Sequence, residues 1–252
     1  MSLRIQQIKA GLRNAARVIP APIKRTLKRV NREIPPPTGV RWGDLRRQAP
    51  FDRNWGYARG TPVDRVYIET FLTQHAADIR GRCLEVLNDS YTRRYGTGRV
   101  HSSDILDINP ANLEATVIAD LGDDGSLPES RYDCFILTQT LHLVPDMGAA
   151  LRNAHRALAP GGVLLLTVPG IGRHESRQGY EHDRWRLTPT GLRWLLNQPM
   201  WEELQVTSFG NVLTVVAMLY GLAAEELEPQ ELSFHDPDYP LIVSCRAKKS
   251  SG

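Results

Sequence analysis

Acidic and polar residues recur at the ends of short apolar runs through the middle of this chain. Cys83 to Val86 contains Glu85 and leads into Leu87-Asn88-Asp89-Ser90, while the run ending at Ile108 carries Asp104 and Asp107. Thr116 to Ala119 is followed by Asp120-Leu121, and Cys134 to Leu137 by Thr138-Gln139. Ionised carboxylates only accept hydrogen bonds, so the first two sets can take ribose hydroxyls or an ammonium group and the third can accept from an adenine amino group. Together they suit a nucleoside that carries a cation. Glu85, Asn88, Asp104, Asp107, Asp120, Leu121, Thr138 and Gln139 are the candidate binding residues. No pair of histidines has metal spacing, Cys83, Cys134 and Cys245 form no CxxC or CxxH, and His235-Asp236 with Asp238 has no companion set, so no metal is expected. The chain contains neither GxxxxGK[ST] nor GxSxG, which counts against a triphosphatase or an esterase.

Runs of this kind are what a parallel sheet buries on both faces. Cys83 to Val86, Ile105 to Ile108, Thr116 to Ala119, Cys134 to Leu137 and Val163 to Val168 read as five strands, with Gln205 to Phe209 and Leu241 to Cys245 as two more. Thr61-Pro62 predicts a helix start, with a hydroxyl at the N-cap, proline at the first helical position and an apolar stripe through Val63, Val66, Tyr67, Phe71 and Leu72. Pro145-Asp146 caps a second helix, with Met147, Leu151, Ala154 and Leu158 on one face, and Pro160-Gly161-Gly162 is expected to stop it. Thr188-Pro189 repeats the capping chemistry ahead of Leu192, Leu195 and Leu196, and an apolar helix is expected from about Asn211 to Leu227. Between Asp107 and Asp120 the chain is too short for a crossover helix with its loops. A loop through Asn109-Pro110 must join those strands, and either Asp104 or Asp107 could meet the ribose. Strands alternating with helices predict a doubly wound, Rossmann-like α/β fold. Its seven-stranded, mostly parallel sheet carries helices on both faces and places its ligand at the carboxyl ends of the strands, near a topological switch point.

Charge divides the chain at residue 40. Residues 1–40 hold nine basic residues and one acidic one, leaving +8 there and −5 in the remainder of a chain whose net charge is +3. Leu3, Ile5, Ile8, Leu12, Ala15, Ala16 and Ile19 recur at helical steps among the lysines and arginines, so the arm reads as a basic amphipathic helix ending before Pro20. Ile34 to Gly39, with three prolines, reads as a stiff linker. The expected division is a basic arm over 1–40 and a folded domain over 41–252. The arm over 1–34 could meet a membrane surface or a protein, whereas a net acidic domain argues against nucleic acid. The opening residues lack an apolar signal core, and Val212 to Ala224 is shorter than the about 20 residues that span a bilayer, so the expected location is cytoplasmic or peripheral at a membrane.

The stretch RYDCFILTQTLHLVPDMGAALRNAHRALAPGGVLLLTVPG, Arg131 to Gly170, resembles the central signature of class I S-adenosylmethionine-dependent methyltransferases: an "fD-hydrophobic" strand, a helix and an "L-x-PGG" turn into the fifth strand. DRWRLTPTGLRWLL, Asp183 to Leu196, is similar to the segment that follows in many of them. FDRNWGYARGTPVDRVYIETFL, SDILDINPANLEATVIADL and FGNVLTVVAMLYGLAAEEL look like a bacterial subgroup often associated with glycan and polysaccharide biosynthesis. The resemblance covers about residues 41–248. It implies S-adenosylmethionine as cofactor, a methyltransferase activity and, through the subgroup, a hydroxyl on a sugar or glycan precursor as acceptor.

Methyl transfer from a sulfonium needs chiefly alignment, and a base helps when the nucleophile is a hydroxyl. In relatives the regions of His142 and of His182-Asp183 face the pocket, which makes His142, His182 and Asp183 the catalytic candidates, with Tyr180 and Trp185 as a sugar-stacking surface. The segment Asn54 to Arg65, with Trp55, Tyr57, Arg59, Asp64 and Arg65, matches one that closes over cofactor or substrate in relatives. One departure stands out. The family's first loop is glycine-rich because the backbone passes close to the cofactor, yet Glu85 to Tyr91 contains no glycine. Either Asn88 and Asp89 take left-handed backbone angles and offer their own oxygens, or the chain is a non-catalytic methyltransferase-fold scaffold or accessory protein. The absence of GxGxxG after the first strand disfavours a nicotinamide oxidoreductase.

Overall fold

The computed structural model describes residues 43–176, 182–196 and 201–251. The expected arm helix, the proline linker and Tyr180 lie outside the described residues, and the stretch just before Ala49 contributes one 3₁₀ turn, Gly43–Arg46.

Seven strands form one sheet in the order β3-β2-β1-β4-β5-β7-β6. They are β1 (Gly81–Val86), β2 (Val100–Asp107), β3 (Val117–Ile118), β4 (Tyr132–Thr138), β5 (Leu158–Pro169), β6 (Trp201–Phe209) and β7 (Ile242–Lys249). The first five run parallel, while β7 lies antiparallel between β5 and β6. The order reverses between β1 and β4, where Cys83 sits beside Cys134. That switch point opens a crevice at the carboxyl ends.

Side chains alternate across the central strands and so build two cores. Cys134 and Ile136 of β4, with Val163 and Leu165 of β5, pack against Ile68, Phe71 and Leu72 of α1 (Val63–Gln74) and Tyr91 of α2 (Ser90–Tyr95). Phe135, Leu137, Leu164 and Leu166 face the other way, toward Ala150, Leu151 and Ala154 of α3 (Met147–Ala157) and Leu192 and Leu196 of α4 (Pro189–Leu196). Helices thus cover both faces of the sheet, and each fully buried Leu, Ile or Phe contributes about 1.5–3 kcal/mol. The three cysteines are buried and free.

Local chemistry explains where the elements begin and where they depart from expectation. Asp146 caps α3 by accepting from the Ala149 N–H at 2.9 Å, and the Thr188 hydroxyl accepts from Gly191 N–H at the start of α4. At α1 the N-cap is Pro62 itself, because the Thr61 hydroxyl is engaged by Glu225. Nor does Pro160-Gly161-Gly162 stop α3. The helix ends at Ala157, the chain enters β5 at Leu158, and the motif lies inside the strand, where a Cβ on Gly162 would stand 2.9 Å from the Tyr132 carbonyl of β4. Strand β3 is only two residues long, and the connection from Asp107 to Val117 is made of turns. The long apolar helix expected to about Leu227 is broken into α5 (Val212–Tyr220) and a 3₁₀ turn at Ala224–Glu226, and a short helix α6 (Pro229–Ser233) follows. The break falls at Gly221, left-handed at φ 68, where any Cβ would collide with the Asp52 carbonyl. No helix among the described residues is long and apolar enough to cross a membrane.

The segment from Phe51 to Pro62 is strapped onto the β6–β7 connection. Arg59 Nε donates to Glu226 at 2.9 Å, the Thr61 N–H and hydroxyl donate to Glu225 at 2.9 and 2.7 Å, and Pro62 bridges Ala223.

Candidate active site

On the β1–β2–β3 side, side chains bind neighbouring backbone and so shape the loops. Glu85 is buried and accepts from the Tyr91 and Thr92 N–H groups at 3.1 and 2.7 Å, capping the first turn of α2 from outside the helix. Burial pushes its carboxyl up, and those two bonds pull it back. Asn88 accepts from Ser90 N–H, and Asp89 pairs with Arg93 at 2.7 Å.

The two β2 aspartates separate clearly. Asp104 sits opposite Leu84 within the sheet, accepts from the Thr116 hydroxyl at 2.9 Å and the Tyr132 hydroxyl at 3.1 Å, and pairs with Arg131 at 2.9 Å. Asp107 is the last residue of β2. It accepts from Asn109 N–H at 2.9 Å and Asn112 Nδ2 at 2.8 Å, which leaves two of its roughly four lone-pair positions for a ligand at the strand end. Asp120, half-buried beyond β3, accepts from Gly122 N–H, whereas Leu121 belongs to the core. Thr138 ends β4 beside Thr167, and Gln139 donates to Thr167 through its N–H at 2.9 Å and its Nε2 at 3.2 Å.

Left-handed backbone marks the same edge. Among the described residues four non-glycines have positive φ: Trp55, Leu87, Ser130 and Gln139. Leu87 and Gln139 directly follow β1 and β4, on either side of the switch point, and such positions cluster at ligand sites. The left-handed residue of the first loop is therefore Leu87, φ 73, and neither Asn88 nor Asp89, whose φ is −111. Leu87 is held by its N–H to Leu106 O and by Asn112 Nδ2 to its own carbonyl, both at 2.9 Å. The loop thus makes with leucine the backbone turn that glycine makes cheaply.

Beside it lies a cleft of about 380 Å³ lined in part by Tyr57, Arg65, Glu69, Ser90, Tyr91 and Arg94. Arg65 donates to the Tyr57 hydroxyl at 3.2 Å and to the Tyr91 hydroxyl, while Arg94 engages Glu69 at 2.8 Å. Burial raises the Tyr91 phenol, so it keeps its proton. The cleft is thus walled by two phenols, the Arg65 guanidinium they accept from and the Arg94–Glu69 ion pair.

On the β4–β5 side an ionic cluster within residues 173–186 is joined to two distant segments, at His142 and at Trp55. His142, in the 3₁₀ turn after β4, has Nε2 at 3.8 Å from Asp183 Oδ1, and its Nδ1 is buried without a partner. Asp183, with a side chain only 4% exposed, is clamped by Arg186 through Nη1 at 2.6 Å and Nη2 at 2.8 Å and by Glu175 N–H at 2.7 Å. Arg186 also donates to the Arg173 carbonyl. Arg173 pairs with Glu175 at 2.6 Å and lies 4.1 Å over the Trp55 ring. Burial drives the His142 imidazole down to about 4 against the pull of Asp183. Burial alone would raise the Asp183 carboxyl, but Arg186 and the Glu175 N–H outweigh it and hold it at about 2. A neutral imidazole and a fixed carboxylate result.

His182 is exposed, so the structure couples Asp183 to His142 and separates it from its sequence neighbour. Trp185, 40% exposed, is fixed by its indole N–H to Val144 O at 3.0 Å. Sequence reasoning missed Arg173, Glu175 and Arg186; only the Asp183-x-x-Arg186 spacing held a signal. It also missed Ile108, which follows Asp107 and is 64% exposed, an apolar face at the strand end.

A doubly wound sheet with polar side chains along its carboxyl edge places the chain among the Rossmann-like α/β proteins. Comparison with known proteins narrows this. The family model described as "Methyltransferase domain" matches residues 55–204, more than half of the chain. The chain belongs to that methyltransferase-domain family. Among solved structures, the DhpI–SAH complex shares the fold, with a TM-score of 0.51 at 18% identity over 77% of this chain and 90% of that one. A SAM-dependent methyltransferase from Archaeoglobus fulgidus aligns with a TM-score of 0.49 at 14% identity over 73% and 94%. The curated relatives are far longer. The highly reducing polyketide synthase ctvA of Aspergillus terreus is 28% identical over 158 residues, 55% of this chain and 6% of that protein. The polyketide synthase-nonribosomal peptide synthetase pyiS of Pyricularia grisea is 47% identical over 47 residues, 19% of this chain and 1% of that protein.

The residues at the carboxyl edge fit the cofactor by their chemistry. Asp107 and Asp120 offer acceptors, Ile108 an apolar face, and the cleft at Arg65 donors with a positive charge.

Proposed function

We propose that this methyltransferase moves a methyl group to a hydroxyl of a small molecule of the sugar or glycan-precursor class. The observation that carries this reading is His142, held neutral by burial and 3.8 Å from a fixed Asp183 carboxylate. Transfer to an amine needs no such base, whereas a hydroxyl must lose its proton as it attacks.

When bound, S-adenosylmethionine supplies a methyl group already activated on a sulfonium. The chain's residues bind and orient. Asp107 accepts from the ribose hydroxyls and Asp120 from the adenine amino group, with Ile108 against the base and Leu121 behind it. Thr138 and Gln139 line the floor at the switch point, where Glu85 and Asn88 set the first loop. Arg65, backed by Tyr57 and Tyr91, takes the carboxylate of the methionine part. On the acceptor side, the His142 imidazole takes the hydroxyl proton, and the Asp183 carboxylate stabilises the imidazolium that forms. Arg186 and Glu175 N–H keep Asp183 in place, and Trp185 offers a stacking face to a sugar ring. Asp104 and His182, assigned to the site by sequence, have no step in this scheme. The arm over 1–34 is assigned by its charge to a membrane surface or a protein partner, in a cytoplasmic setting.

Two measurements test this. Calorimetry with S-adenosylhomocysteine should show binding that Asp107→Ala weakens, and no binding at millimolar cofactor would favour the scaffold reading suggested by the glycine-poor loop. Transfer of labelled methyl to a panel of sugars, amines and carboxylates should label a sugar oxygen; labelling of nitrogen would overturn the acceptor class.

A further inference from the structure

Helix α5 presents the wrong surface to water. Its buried side includes Thr214, Val215 and Ala217, yet the opposite face carries Val212 at 52%, Leu213 at 41% and Leu219 at 40% exposure, with Val216 half-buried between them. At 100° per residue these positions, with Tyr220, form one continuous stripe. The stripe is extended at the helix start. Asn211 Nδ2 holds the Phe234 carbonyl at 2.8 Å beside the helix start, with Phe234 62% exposed. A solvated helix of about two and a half turns would normally be polar on this side, and an exposed apolar stripe of this kind marks a docking surface.

The charge around the stripe identifies what it takes. Residues 211–240 contain six carboxylates, Glu225, Glu226, Glu228, Glu231, Asp236 and Asp238, and no lysine or arginine. Glu226 is matched by Arg59, but Glu228 and Asp238 are exposed at either side of α6, and the remaining acids are bonded to hydroxyl or backbone N–H groups, which leave their negative charge in place. An acidic rim repels an anionic lipid surface and attracts cations. We infer that the α5 face docks a basic amphipathic segment of a partner protein, whose apolar side covers Val212, Leu213, Val216 and Leu219 while its lysines and arginines meet the acidic rim.

The full chain can be titrated, by fluorescence anisotropy, into a labelled amphipathic peptide of leucine and lysine, with a leucine and glutamate peptide of the same pattern as control. The expected result is saturable binding of the basic peptide alone, weakened about tenfold or more by Leu213→Ser with Leu219→Ser. In Glu228→Gln with Asp238→Asn the binding should weaken and lose part of its salt dependence. Both variants should keep wild-type affinity for S-adenosylhomocysteine, which shows that the fold is intact. Equal binding of the two peptides, or binding indifferent to the serine variant, overturns the inference. So does sedimentation with phosphatidylglycerol vesicles, or dimerisation seen by light scattering, if either is abolished by that serine variant, because the face would then belong to lipid or to a second copy.

Discussion

The two halves of the strand ends are built on opposite principles. On the β1–β2–β3 side the carboxylates and amides at the strand ends bond mostly to residues close in sequence, Asn88 to Ser90, Asp107 to Asn109 and Asn112, Asp120 to Gly122, while Asp104 and Leu87 are tied to neighbouring segments. On the β4–β5 side buried charges from three distant segments close on one another, Trp55 with Arg173, Glu175 with Asp183, and Asp183 with His142 and Arg186. Local bonds shape a loop and leave acceptors for a mobile ligand. A buried ionic cluster freezes its members and makes each depend on the others, so substitutions in the two halves should fail in different ways.

The largest effect is expected at Arg186. Arg186→Ala removes both donors from a carboxylate that is 4% exposed, and stranding a buried charge costs about 3–5 kcal/mol. Thermal unfolding should show the midpoint falling by roughly 10 °C for a domain of this size. Asp107→Ala, on the other half, should leave the midpoint nearly unchanged. Equal losses in both would erase the distinction.

Next comes His142. His142→Gln should lower kcat by about 100-fold or more, as expected for loss of a general base, with affinity for S-adenosylhomocysteine intact. Its pH behaviour has a definite sign. The folded value of about 4 lies below the ordinary 6.5, so the unfolded chain binds the proton first, and His142's contribution to stability is present above pH 6.5 and lost as pH falls toward 4. Asp183, near 2 against an ordinary 3.8, adds a loss in the same direction between about pH 4 and 2. Urea midpoints at pH 7 and 4.5 should differ in the wild type and differ less in His142→Gln. The acid limb of kcat/KM due to this base should fall near pH 4; a limb near 6.5 would mean that the imidazole is solvated.

This contrast also explains what could be read in the sequence. Apolar runs and capping residues exposed the seven strands and the helices between them, because those depend on spacing along the chain. Asp107 and Asp120 stood out because a strand's last residues define the crevice. The choice between Asp104 and Asp107 was not legible, since it depends on Tyr132 and Arg131 reaching Asp104 from the neighbouring strand. Arg173 and Glu175 were invisible for the same reason: their role exists only once the loop after β5 meets Trp55 and Asp183.

A smaller effect is expected from Asp107→Ala on cofactor affinity, about 10- to 100-fold, the loss of hydrogen bonds to a charged acceptor. Asp104→Asn should change that affinity by less than about twofold while lowering stability through its lost pair with Arg131. Titration calorimetry beside thermal unfolding separates the two. A drop in affinity at Asp104 matching that at Asp107 would return Asp104 to the ribose.

Leu87 gives the smallest and most pointed contrast. A leucine in left-handed conformation costs about 1–2 kcal/mol, and replacing it with glycine relieves that cost but adds about 0.5–1 kcal/mol of unfolded-chain entropy. Leu87→Gly should therefore leave stability unchanged or raise it by about 1 kcal/mol, whereas glycine at an ordinary position lowers it. Because Leu87 is 60% exposed, no core packing is lost in the exchange. S-adenosylhomocysteine affinity in the same variant decides what the leucine is for. Unchanged or tighter binding means that the loop needs only its backbone shape, held by Leu106 and Asn112. Weaker binding in a protein of undiminished stability means that the leucine side chain itself packs against the ligand, and the cofactor half then owes part of its affinity to a residue that the glycine-rich pattern does not contain.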